Sequence, residues 1–240
     1  QRASILSNRQ VGVAVETGDS SLVAEAVRIE GTTPSETGLL GHGLAVSLGA
    51  SVTLAKAAVV ANAGAGMVAM AKWGTDMPSS LVATDVLVAD TQPYADGSGG
   101  SGVISIDEAT VELTRAALVE NRGVGLDAHD GAQVHALDLL VARTKSSPDS
   151  TGGLGVRATD EAEIHLERAQ IVDNQERGLM AHSYGSLITA KDTVVTGTRN
   201  KLDGPGGIGV RALNLGAIEL ERVWVVDNDS VAMKASDPGT

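Results

Sequence analysis

Three aspartates and two arginines recur at equivalent places along this 240-residue chain, and both residue types can bind or transform a ligand. Asp96, Asp149 and Asp203 align within loops rich in Gly, Ser and Pro. Clustered carboxylates can bind calcium or serve as acid and base in glycoside chemistry. Arg157 and Arg211 each follow a Gly-x-Gly return. The two arginines therefore predict either contacts with an anionic glycan or a solvated basic face.

Aromatic and imidazole side chains supply a second set of candidates. The four aromatic residues are too scattered to form a platform for stacking sugars, and we select Trp73 as a ligand contact because it lies in the length-variant loop, AKWGTDMPSSL. His129 and His182 occupy equivalent positions in their repeats. The same column also contains Glu16, Met70 and Ser236. This variability indicates exposed positions rather than a pair of metal ligands.

A repeated unit positions all of these residues. The stretch from Gly155 to Asn174 recurs at constant length at 43–62, 102–121 and 209–228. Closing asparagines follow one another at intervals of 54, 59, 53 and 54 residues, and they are Asn8, Asn62, Asn121, Asn174 and Asn228. Alternating segments close on Thr32, Thr91, Thr144 and Thr198. A period of this kind predicts a solenoid, in which each unit is stable only when stacked on its neighbours.

Apolar and polar residues alternate within each unit. Ile164 and Leu166 flank His165, and the same pattern recurs in the other units, so the local period is two and predicts a β-strand. Short strands bounded by Gly and Asn predict an all-β fold, a parallel β-helix whose coils alternate between an Asn type and a Thr type. Its stacked apolar columns would be the main source of stability, at roughly 1.5–3 kcal/mol per fully buried aliphatic side chain.

Charges of alternating sign lie six residues before each closing residue. Cations stand on the Asn-type coils and carboxylates on the Thr-type coils: Arg2, Lys56, Arg115, Arg168 and Arg222 against Asp85, Asp138 and Asp192, with Glu25 offset by one residue. Neighbouring strands lie about 4.8 Å apart, so we expect each cation between two carboxylates. Exposed pairs contribute only about 0–1 kcal/mol each. Their main effect would be to fix the register of the stack.

The recurrent asparagines and aspartates also have structural interpretations. An Asn at a repeated turn can bond to the backbone of adjacent coils, and the alternating Thr would interrupt a continuous ladder of Asn side chains. Asp96, Asp149 and Asp203 would lie about 10 Å apart on alternate coils. Calcium ligands lie at about 2.3–2.6 Å from one ion, so these three carboxylates cannot share an ion. Asx-type turns are the favoured interpretation of the three aspartates.

Composition limits the classes of partner. The formal net charge of −12 has the wrong sign for electrostatic capture of nucleic acid or an anionic membrane. The chain has no cysteine, which excludes disulfides and thiolate metal sites. No apolar run approaches the roughly 20 residues that span a bilayer. We therefore expect one domain over 1–240, without cofactor, metal, nucleic-acid partner or membrane span. The chain begins in the middle of a repeat, which predicts a fragment of a longer protein.

The coil pattern resembles a known superfamily. Coils reading V-V-x-N-x-x-x-G, as in Val59–Gly66, alternate with V-V-x-x-T coils, a loop containing Asp-Gly or Asp-Ser, and a Gly-x-Gly return. Over essentially the whole chain this pattern resembles the right-handed parallel β-helix proteins of the pectate-lyase-like superfamily, closest to repeat proteins of the myxobacterial type. The resemblance implies a right-handed solenoid of about nine coils. That superfamily includes lyases, hydrolases, adhesins and tailspikes, so the fold alone does not give the activity.

A second resemblance concerns Gly41-His42-Gly43, which is similar to the Gly-His-Gly motif of polygalacturonases. There the His works beside three aspartates, but this chain has no Asn-Thr-Asp and no Asp-Asp pair. The same Gly-x-Gly recurs in phase at 100–102, 153–155 and 207–209. His42 is therefore interpreted as the variable middle residue of a structural turn.

The sequence favours a non-catalytic β-helix, extracellular or on the cell surface, that serves as a rigid spacer or a surface for binding carbohydrate or a partner protein. Its repeats are nearly equivalent, whereas an active site requires one coil to depart in several polar residues at once. The alternative is a polysaccharide lyase or glycoside hydrolase of the same superfamily. A third hypothesis is end-to-end assembly with another β-helix, because an uncapped coil presents unpaired strand edges.

Overall fold

The structure is a computed structural model and describes residues 2–71, 77–147, 152–201 and 204–236. Within these ranges the regular secondary structure consists of β-strands, which form two sheets with parallel pairing. The predicted all-β class is therefore confirmed, and the two sheets are consistent with a parallel β-solenoid. In the same ranges no helix is long and apolar enough to cross a membrane.

The first sheet contains nine strands among the described residues, stacked in chain order. Alternate side chains face the core, as those of Leu126 and Ala128 do. The strands are β2 (Val11–Glu16), β5 (His42–Ser47), β8 (Ala65–Met70), β10 (Ser101–Ile106), β12 (Val124–His129), β15 (Leu154–Thr159), β18 (Arg177–His182), β21 (Ile208–Leu213) and β24 (Val231–Ser236).

The second sheet contains 15 strands among the described residues and forms two adjacent strips. A coil is defined here as one passage of the chain through both sheets. The strands are β1 (Ala3–Leu6), β3 (Ser21–Glu25), β4 (Val27–Glu30), β6 (Ser51–Ala55), β7 (Ala58–Val60), β9 (Ser80–Ala89), β11 (Thr110–Val119), β13 (Gln133–Leu137), β14 (Leu140–Ala142), β16 (Glu163–Glu167), β17 (Gln170–Val172), β19 (Leu187–Lys191), β20 (Val194–Thr196), β22 (Ala217–Glu221) and β23 (Trp224–Val226). Only β9 and β11 run unbroken through both strips.

The apolar core lies between the two sheets and contains the columns that the repeat predicts. Val52, Val111 and Ile164 stack in one column and are almost completely buried. In the last described coil the same columns are more accessible, and Leu220 of β22 is 37% exposed. β22 pairs with a neighbour on one side only, so its side chains lack the covering layer that the inner strands have.

A column of glycines allows the nine-stranded sheet to approach the turns closely. Gly125 has space for no side chain, because a Cβ there would lie 2.6 Å from the carbonyl oxygen of Gly155 and 2.3 Å from Val141 Cγ1. A Cβ at Gly155 would likewise lie 2.6 Å from the carbonyl oxygen of Gly178. Packing against the next strand of the sheet therefore favours glycine at the end of the Gly-x-Gly return, which agrees with the structural interpretation of this motif.

The charged column lies at the bend between the two strips, and the strand register confirms its alternating order. Arg115 donates to both carboxylate oxygens of Asp85, at 2.6 and 3.0 Å. Both residues have left-handed backbones, with φ of 52° and 55°, which turns the chain from one strip to the next. Equivalent pairs join Arg168 to Asp138 and Arg222 to Asp192.

The direction of these pairs differs from the expectation of a cation shared between two carboxylates. Arg168 donates to both oxygens of Asp138 in the preceding coil and to the adjacent Glu167, whereas Asp192 in the following coil acts on it only through its charge. The offset of Glu25 is confirmed, since Ala26 occupies the column position and Glu25 reaches Lys56 at 2.6 Å. The register is therefore held by discrete pairs that link one coil to the next.

The four closing asparagines from Asn62 onward bond to the backbone of the preceding Thr-type coil. Asn121 is completely buried; its Oδ1 accepts from the Thr91 amide at 3.1 Å and its Nδ2 donates to the Val88 carbonyl at 3.2 Å. The same two hydrogen bonds, which we call the Asn bracket, recur at Asn62, Asn174 and Asn228. Each of these side chains therefore joins an Asn-type coil to the Thr-type coil before it. None of these bonds runs from one Asn side chain to another.

Candidate functional site

The outer face of the nine-stranded sheet changes from apolar to charged along the stack. One outward-facing column follows the strand register through Ala14, Ala45, Val68, Ile104, Asp127, Arg157, Met180, Arg211 and Lys234. Its early members are apolar, and all but one of the members from β12 onward carry charge. This face therefore departs from the uniform repeat over β12 to β21.

Asp127 and Arg157 form a bidentate ion pair on this face. Arg157 donates from Nε and Nη2 to the two carboxylate oxygens at 2.8 and 2.6 Å. The Asp127 side chain is only 4% exposed, and that of Arg157 is 33% exposed. Burial disfavours the charged guanidinium, but the Asp127 carboxylate outweighs that effect and raises the pKa of Arg157. The charges of Asp127 and Arg157 therefore neutralise each other.

Glu176 is a second buried carboxylate beside this column. Its two oxygens are held by Arg177 Nη1 at 2.7 Å and Lys201 Nζ at 2.8 Å, and its side chain is 9% exposed. The charge of Glu176 also acts on Arg157, which places the two ion-paired groups in one electrostatic unit. Two cations therefore share one carboxylate here.

Arg211 differs from these residues because it has no ion pair or hydrogen bond to any described residue. It pairs in register with Met180, whose sulfur accepts a contact from Arg177 Nη1 at 3.1 Å. Burial, together with the positive charge of Arg211, lowers the pKa of Arg177. The charges of the two guanidinium groups therefore act on each other, and Glu176 contacts Arg177 and Lys201.

We call Asp127, Arg157, Glu176, Arg177, Lys201 and Arg211 the basic cluster. It has four cations and two carboxylates, in a chain whose formal net charge is −12. A small apolar group of Val124, Leu154 and Met180 lies buried beside it. The cluster therefore has a local excess of positive charge and packs against a buried apolar group.

The predicted ligand contacts fall in different places. Arg157 and Arg211 lie in the basic cluster, as the two arginines of one column. Asp96 lies elsewhere, in an exposed turn, where its Oδ1 accepts from the Ser98 amide at 2.9 Å and the Ser98 hydroxyl at 2.7 Å. These hydrogen bonds lower the pKa of Asp96 and form the Asx-type turn that was the favoured interpretation. Trp73, Asp149 and Asp203 lie outside the described residues.

The histidines each have a local environment of their own. His42 begins β5, its Nδ1 is buried without a partner, and burial lowers its pKa. His129 Nδ1 contacts Asp130 at 2.8 Å, whereas His182 contacts Ser183 and Asn214. Among the residues that the structure describes, no three His, Asp or Glu side chains are grouped so that they could hold a metal ion.

Sequence reasoning missed Asp127, Glu176 and Arg177 as members of the site. A signal for Asp127 was present, since it stands one coil before Arg157 at the equivalent position, where earlier coils have apolar residues. Glu176 and Arg177 follow a closing Asn, a position that the repeat marks only as a turn. Comparison of the chain with models of known protein families and with curated proteins gives no match.

Proposed function

We propose that this protein is a non-catalytic binding module built on a rigid β-solenoid. In this proposal the solenoid is a right-handed parallel β-helix of about nine coils, of the pectate-lyase-like superfamily, and is extracellular or attached to the cell surface. The basic cluster is its binding surface, for an anionic polysaccharide or an acidic partner. The observation that carries the proposal is the excess of cations on one face of an otherwise acidic and uniform stack.

The rest of the molecule suits the role of a rigid support. Asn brackets, bidentate Arg–Asp pairs and close glycine contacts recur along the stack and join each coil to the one before it. Parallel coils that are joined at each step hold the outward-facing side chains at fixed spacings of about 4.8 Å. A cluster on such a support needs little ordering when it binds a ligand, which favours affinity.

The state of the buried carboxylates favours binding over hydrolysis as the role of this face. A glycoside hydrolase uses one carboxylic acid to protonate the leaving oxygen and one carboxylate as base or nucleophile. Asp127 instead accepts hydrogen bonds from Arg157 on both oxygens, and the two oxygens of Glu176 form ion pairs with Arg177 and Lys201. Paired in this way, they set the positions of the surrounding cations.

The test combines a turnover assay with a binding assay on the same panel of acidic and neutral polysaccharides. We expect retention by acidic polymers in affinity electrophoresis, falling as salt is raised, and no release of reducing ends or unsaturated uronates. Turnover that disappears in an Asp127→Asn variant would instead identify a lyase or hydrolase. Equal retention by acidic and neutral polymers would contradict the assignment of the basic cluster as the binding surface.

A further inference from the structure

Arg177 and Arg211 have buried nitrogen atoms without a hydrogen-bond acceptor. The Nε atom of each side chain is inaccessible to solvent and donates to no group. Most buried polar groups in folded proteins are paired, so two neighbouring exceptions indicate that a partner is missing. Both exceptions lie in the basic cluster, on the same face and in adjacent strands, β18 and β21.

Among the described residues, neither buried carboxylate of the basic cluster is free to pair with Arg211. Both oxygens of Asp127 are used by Arg157, and those of Glu176 are used by Arg177 and Lys201. The next residue of the column after Arg211 is another cation, Lys234. A counter-charge for Arg211 must therefore come from outside the described part of the chain.

The exposed part of Arg211 is the edge that such a counter-charge could reach. Its terminal Nη atoms have no partner and, unlike Nε, are not buried. A guanidinium presents two parallel N–H groups along one edge, which match the two oxygens of a carboxylate, sulfate or phosphate. Met180 precedes Arg211 in the column and is buried, so it supplies no acceptor that would compete for this edge.

We propose that Arg211, with Arg177 beside it, binds an oxyanion group of a ligand. This inference rests on the proposed binding function and gives it a specific point of contact. Arg157 has a positioning role instead, since its guanidinium is fixed by Asp127 and adds positive charge one coil away from Met180.

The first experiment follows thermal unfolding of the whole chain in millimolar sodium sulfate against sodium chloride at matched ionic strength. Sulfate also stabilises proteins by general exclusion, so the readout is the difference between variants. We expect a saturable sulfate effect in the parent protein that is lost in Arg211→Met. The matched control is Arg122→Met, which removes an arginine without an ion pair to any described residue from another part of the chain and should leave the effect intact. An equal sulfate effect in the parent and in Arg211→Met would overturn the proposal.

A second variant separates loss of the anion site from a general loss of charge. Met180→Asp places a carboxylate one coil before Arg211, as Asp127 stands one coil before Arg157. We expect this variant to fold and to lose the sulfate effect, because its own carboxylate occupies Arg211. Retention of the full effect in folded Met180→Asp would contradict the site.

The source of the oxyanion is distinguished with polymers. Polygalacturonate, dextran sulfate and polyphosphate are compared with neutral dextran by titration calorimetry, using the parent protein, Arg211→Met and Arg122→Met. The preferred polymer should bind Arg211→Met about tenfold to a hundredfold more weakly, the effect of losing a charged hydrogen-bonded contact. Unchanged binding by Arg211→Met would refute this site and leave the binding function standing. Polysaccharide turnover would refute the non-catalytic function and leave the site test unaffected.

Discussion

Arg157 and Arg211 occupy equivalent positions in successive repeats, yet one is paired and the other is not. Arg157 follows Asp127 in the column and is held by both oxygens of that carboxylate. Arg211 follows Met180 and has no acceptor among the described residues. For these two arginines the residue one coil earlier decides the outcome, so the same residue type is held in an ion pair after Asp127 and available for a ligand after Met180.

The largest loss of stability should come from removing Arg157, the arginine that has an ion pair. Arg157→Ala leaves the Asp127 carboxylate buried without a counter-charge, which typically costs about 3–5 kcal/mol of unfolding free energy. Urea unfolding at pH 7 measures the loss, with Arg211→Ala as the matched control. We expect Arg211→Ala to change stability little, because it removes no ion pair. Similar losses in both variants would show that Asp127 does not distinguish the two arginines.

Contacts with the preceding coil also stabilise the turns, through the Asn brackets. Asn121→Ala leaves the buried Thr91 amide and Val88 carbonyl without a partner. Each unpaired group costs about 1–3 kcal/mol, so for two groups we expect a loss of about 2–6 kcal/mol in urea unfolding. Asn228→Ala, in a bracket that is only partly buried, should cost less. Equal costs would indicate that burial of the bracket has no part in its effect.

The charged column gives a smaller effect that appears only in acid. Hydrogen bonds from their arginine partners lower the pKa of Asp85, Asp138 and Asp192 in the folded protein. Because the folded state binds these protons less readily, the contribution is present above the ordinary Asp pKa of about 3.9 and is lost as pH falls through the lowered values.

The measurement is the midpoint of urea unfolding between pH 7 and pH 2. An Asp138→Asn/Asp192→Asn variant should lose less stability than the parent protein over the acid range, and added salt should reduce the difference because the pairs are exposed. Identical acid profiles would show that these pairs do not contribute to the pH dependence.

Much of the fold follows from the sequence because every coil repeats the same spacing. Constant intervals predicted the apolar columns, the alternating charges and the offset of Glu25, and the strand register confirms each of them. The direction of the Asn and Arg contacts did not follow, since spacing alone gives a neighbour on both sides. The sequence indicated only two of the six residues of the basic cluster. Arg157 and Arg211 stood out by alignment, but their difference depends on Asp127 and Met180, whose column appears only once the nine-stranded sheet is in register.

The smallest expected change in stability comes from removing a threonine hydroxyl on a Thr-type coil. Thr91 is completely buried and its Oγ1 has no hydrogen-bond partner, whereas its backbone amide is the group that Asn121 binds. Thr91→Val keeps the amide and the shape of the side chain and removes only the unpaired hydroxyl, so stability should stay the same or rise slightly. A clear loss in urea unfolding would mean that the hydroxyl has a partner, and that these coils are joined by more than the Asn bracket. If stability is unchanged, the contribution of Thr91 lies in its backbone amide, and the bracket between coils depends on the Asn side alone.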